Sequence, residues 1–97
     1  MYTNYGKHER GKKMRESAME NVRSLQRIIS LQIGQEKAVY FLVYLDEQEE
    51  PEQTHLSKNA FEKLPETAEM LKRITKWEIQ IFYPKDAVRG IYVTRPG

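Results

Sequence analysis

Eight consecutive apolar residues, Ala38 to Leu45, constrain this chain more than any other segment. The run is rich in β-branched and aromatic side chains, which suits a strand, and it falls far short of the ~20 residues that cross a bilayer. Alternation along a strand sends Val39, Phe41 and Val43 to one face and Tyr40, Leu42 and Tyr44 to the other. Any sheet built on it is therefore apolar on both sides at its centre. What packs on each side decides what the protein can do.

The remaining elements follow from periodicity. Trp77, Ile79, Ile81 and Tyr83 alternate with Glu78, Gln80 and Phe82 as a half-buried strand, Pro84 to Gly90 supplies a turn, and Ile91 to Arg95 returns as the hairpin partner. From Lys12 onward, Met14, Ala18, Val22, Leu25 and Ile29 recur at helical spacing. Ile29, Leu31 and Ile33 then alternate, which predicts a short strand over 29–33, with Gly34 to Lys37 as the turn into Ala38; Gly34 as the C-terminal cap of a longer helix is the alternative. A second helix is capped by Ser57 and carries Phe61, Leu64, Ala68 and Leu71 on one stripe. Pro65 kinks it or divides it in two, since proline is harmless only in a helix's first turn.

Ninety-seven residues leave room for one core. The expected fold is a single small α+β domain over residues 12–97, with two helices and an antiparallel sheet of three to four strands, in the order α-β-β-α-β-β. Residues 1–11 read as a flexible basic arm. Without cysteine there is no disulfide, no thiolate nucleophile and no Cys-ligated metal. The first residues lack the apolar core of a signal peptide, so the default location is cytoplasmic, with no membrane association.

Charge is sorted by position. Met1 to Ser30 holds seven Lys and Arg against three acids, Leu31 to Thr54 one against six, and the remainder eight against five. The basic arm and the start of the first helix carry Lys7, Arg10, Lys12, Lys13 and Arg15, a set suited to neutralising phosphates. An acidic loop over 46–54 holds Asp46, Glu47, Glu49, Glu50 and Glu52. It lacks the central glycine and alternating oxygen ligands of a calcium loop, and Pro51 interrupts it.

Catalytic and cofactor signatures fail on inspection. Gly6 to Lys12 matches the opening of a phosphate-binding loop, but Lys13 stands where a magnesium-ligating hydroxyl is required, and no buried strand precedes it. His8 and His55 are isolated from any nucleophile or paired carboxylate. A small endoribonuclease using His55, Arg89, Tyr92 and Arg95 requires these four to converge. The sequence thus points to a non-enzymatic interaction module without cofactor or metal.

Two partners fit it. One is nucleic acid, single-stranded by preference, captured by the basic residues and stacked on Tyr40, Tyr44, Phe82 and Tyr92. The other is a protein, met through Leu42 on the apolar sheet face, through the sheet edge, or through Asp46, Glu47, Glu49 and Glu50. The simpler packing places one helix on each side of the sheet and makes the four rings core. If both helices share a side, the rings stand open and a ligand or a second copy must answer for them.

Overall fold

The computed structural model describes the backbone of residues 2–46 and 54–97, and side chains from Ala18 onward within those ranges. The elements are α1 (Tyr2–Ile33), β1 (Ala38–Leu45), β2 (His55–Leu56), α2 (Lys58–Glu62), α3 (Leu64–Thr75), β3 (Glu78–Lys85) and β4 (Val88–Thr94). This is the expected α+β class, with one sheet in the strand order β2-β1-β4-β3.

Residues 29–33 are helix, not strand. Ile28, Ile29 and Ile33 are buried while Leu31 is 57% exposed, so the pattern follows the 3.6-residue period rather than alternation. Gly34 ends the helix at φ +53°, its amide donating to the Ser30 carbonyl at 3.2 Å. That left-handed geometry is what glycine supplies at a helix C-terminus. Upstream, α1 extends back to Tyr2, through the segment read as an arm.

The predicted break at Pro65 is present. Ser57 Oγ accepts from the Ala60 amide at 3.3 Å to start α2, and Pro65 lies in the opening positions of α3. The sheet departs from expectation in two ways. It is mixed, because β2 pairs in parallel with β1 through Tyr44 with His55 and Leu45 with Leu56. The β3–β4 turn is only Asp86 and Ala87, with Pro84 and Lys85 carried inside β3 beyond a register shift that follows Phe82. Proline is tolerated there because β3 is an edge strand and the irregularity releases it from regular pairing.

One core joins the layers. Val22, Leu25, Ile28, Ile29 and Ile33 of α1 meet Phe61, Leu64, Ala68 and Leu71 of α2 and α3 over Phe41, Val43, Ile79, Ile91 and Val93 of the sheet. The buried side chains of β1, β3 and β4 are all of one parity, so the three helices share one side of the sheet. The expectation of a helix on each side is thereby corrected. We expect Leu25→Ala, at a side chain 1% exposed, to cost ~2–5 kcal/mol in urea denaturation, and Leu31→Ala on the same helix to stay within ~0.5 kcal/mol.

Candidate functional site: an open aromatic sheet face

The side of the sheet away from the helices is assembled in rows by the strand register. Tyr40 faces Tyr92, which faces Gln80; Leu42 faces Gly90, which faces Phe82; Tyr44 faces Val88, which faces Lys85. His55 joins the last row from β2. Directly opposed residues share a face, so these side chains form one surface. Tyr40 is 52% exposed, Phe82 45%, Tyr92 39% and Tyr44 37%, while Leu42 between Tyr40 and Tyr44 is half-buried.

The rings are held in pairs. Tyr40 meets Phe82 edge to face, with centroids 5.9 Å apart and planes at 67°, and Tyr44 stacks on His55 at 5.5 Å and 29°. Each arrangement suits the ring quadrupoles and fixes a side chain that would otherwise turn freely. The charges on the surface stand at its ends, Lys85 in the row of Tyr44 and Glu78 in the row of Thr94.

All four predicted rings thus lie on one surface, and Leu42 lies among them. Lys7, Arg10, Lys12, Lys13 and Arg15 belong to the upstream part of α1, but their side chains lie outside the described residues. Asp46 follows β1, its amide donating to the Leu56 carbonyl at 2.8 Å; Glu47, Glu49 and Glu50 lie outside the described residues.

The ribonuclease quartet does not converge. His55 and Tyr92 are on the open face, in rows four residues apart along β1, which is ~13 Å. Arg89 is on the helix side, its guanidinium 4.5 Å from the Phe61 ring centre and 4.8 Å from that of Tyr83. Its Nη1 donates to the carbonyls of Lys85, Asp86 and Val88 at 2.9, 3.1 and 3.0 Å, so it braces the β3–β4 turn. Arg95 is at the opposite end of the sheet, where its Nη2 donates to the Gly34 carbonyl.

His55 and Gly90 are the members of the surface that sequence reasoning missed. A two-residue strand leaves no periodic signal for His55, and Gly90 read as the end of a turn because Pro84 hid the length of β3. Among the described residues, no group of three or more His, Asp or Glu is placed to hold a metal ion, and no helix is long and apolar enough to cross a membrane.

Fold and surface together define a two-layer α+β domain with one sheet face closed by helices and the other open. Compared with protein-family models, curated proteins and solved structures, the chain matches none. The two sides of one strand should respond differently to substitution. Ile91→Ser, at a side chain with no exposure, is expected to cost over ~3 kcal/mol, and Tyr92→Ser beside it about 1 kcal/mol or less, read by thermal or urea unfolding.

Proposed function

We propose that this protein is a non-enzymatic binding module that takes single-stranded nucleic acid on its open sheet face. The observation that carries this reading is the exposure of Tyr40, Tyr44, Phe82 and Tyr92 on one side of a sheet whose helices are all on the other. Rings held at a rigid surface stack bases with little further loss of side-chain freedom, and each stacked base contributes ~1–3 kcal/mol. Three of the four rings are tyrosines, which tolerate water at the hydroxyl while presenting an apolar plane.

Size favours an extended ligand over a globular one. The three long strands make a face about 14 Å wide and about 26 Å long, roughly 400 Å² of plane. A stable protein interface takes ~800 Å² from each partner. A single strand needs only a track of rings with cations beside it.

One such cation, Lys85, stands at the end of the face with Tyr44 and His55. An open groove of about 470 Å³ is lined by Glu20, Ser24 and Arg27 of α1 together with His55 and Leu56 of β2, which brings this stretch of α1 to the same end of the sheet. From there α1 continues upstream into the segment that carries Lys7, Arg10, Lys12, Lys13 and Arg15. Phosphates of a strand laid on the rings would meet Lys85, and we expect the basic residues of this segment to take up further phosphates.

The test is a fluorescence-anisotropy titration of a labelled oligothymidylate at about 50 mM and about 200 mM salt, where each neutralised phosphate adds ~0.7 to the log–log slope. We expect binding that weakens with salt, a shallower slope once residues 1–13 are deleted, and lower affinity for Tyr40→Ala and Tyr92→Ala. A protein that leaves the oligonucleotide unbound at the lower salt would sink the proposal. Capture of a protein partner that depends on Leu42 and Tyr44 would then replace it.

A further inference from the structure

We infer that Gly90 is the residue that positions Tyr40 as a stacking platform, an inference that rests on the nucleic-acid reading above and assigns the specific geometry of its site. Gly90 lies mid-way along the face, paired with Leu42 on one side and Phe82 on the other. It is buried although it belongs to the exposed side of the sheet. What covers it is Tyr40, its diagonal neighbour on β1. A Cβ built on Gly90 would stand 2.2 Å from the Tyr40 hydroxyl oxygen, 2.8 Å from Cζ and 2.9 Å from Cε1. No side chain other than hydrogen lets the ring occupy that place.

The missing side chain has a geometric consequence. Tyr40 reclines across β4 instead of standing off β1, and its ring reaches Phe82 on the far side of Gly90, where the two meet edge to face. The hydroxyl end of Tyr40 lies against Gly90, and the ring is still half exposed, so part of it stays open to a ligand. Gly90 thereby lets a side chain that would point away from the sheet lean across it. A base can stack on the exposed part of that ring over the middle of the face, with Tyr44 further along β1, His55 beside Tyr44 on β2, and Tyr92 opposite Tyr40 on β4.

Adding a Cβ displaces the far end of a flexible side chain, so the fold has a cheap way to accommodate it. Gly90→Ala is expected to keep the unfolding temperature within a few degrees of the parent while lifting Tyr40 off β4. With the full-length protein and labelled oligothymidylate at low salt, Tyr40→Ala should weaken binding roughly tenfold, the size of one lost base stack. Gly90→Ala should weaken it by a similar factor, and the double variant Gly90→Ala with Tyr40→Ala should bind no worse than Tyr40→Ala alone. That non-additivity is the signature of one residue acting through the other, and a general loss of stability would not produce it.

The parent's amide and α-proton spectrum gives an independent reading, since a ring lying on Gly90 shifts its α-protons and Tyr40→Leu should abolish the shift. Parent binding matched by Gly90→Ala, or losses that multiply in the double variant, would overturn this inference and leave the nucleic-acid reading standing. A parent that does not bind the oligonucleotide removes both.

Discussion

The packing of Leu25, Ile29 and Ile33 onto the same sheet face that receives Phe61, Leu64 and Leu71 is the contact on which the rest of the structure depends. Had α1 crossed to the other side, it would have covered Tyr40, Tyr44 and Tyr92, whose hydroxyls would then have needed partners in a dry interior. It would also have covered Gln80 and come down beside Glu78. Each such group buried without a partner costs ~1–3 kcal/mol, and more where it is charged. The helix side asks for much less, because Val39, Phe41, Val43, Ile79, Ile81, Ile91 and Val93 carry no polar atoms and the Arg89 guanidinium there already donates to three carbonyls. The choice of side is therefore decided by the polar tips on the rejected one.

That choice was legible in the sequence, though not in the feature that draws the eye. Alternation sorts the rings correctly, and the abundance of aromatic side chains suggests core. The same alternation puts Gln80 and Glu78 beside Phe82 and Tyr92, and two uncompensated polar residues say more about exposure than four amphipathic rings say about burial. The α-class of residues 29–33 was less accessible. Ile29, Leu31 and Ile33 satisfy alternation over three positions, and only the preceding run of Val22, Leu25 and Ile28, together with a glycine able to adopt φ +53°, breaks the tie in favour of helix. The strand β2 could not have been read at all, since two residues carry no period and their pairing with Tyr44 and Leu45 is set by tertiary contacts.

Arg89 shows how a charged residue can lie on the core side of a sheet. Its partner across β1 is Val43, which is fully buried, and a bare guanidinium beside it would be costly. Two aromatic faces and three carbonyl oxygens meet it, so quadrupoles and dipoles answer the charge where it leaves bulk water. The bracing extends to the other side of the sheet. The turn that Arg89 holds is the one that places Lys85, the cation at the end of the open face, in the row of Tyr44.

Gly90 likewise ties a single residue choice to the shape of the open face. A glycine inside a strand forfeits side-chain packing and costs roughly 0.5–1 kcal/mol relative to alanine. Tyr40, laid over it from the neighbouring strand, covers the exposed backbone and recovers part of that loss, as an aromatic ring across from a strand glycine commonly does. The same ring thus covers the glycine and stays half exposed on the open face. The contact with Gly90 contributes to the fold, and the edge-to-face contact with Phe82 holds the ring in place across β4.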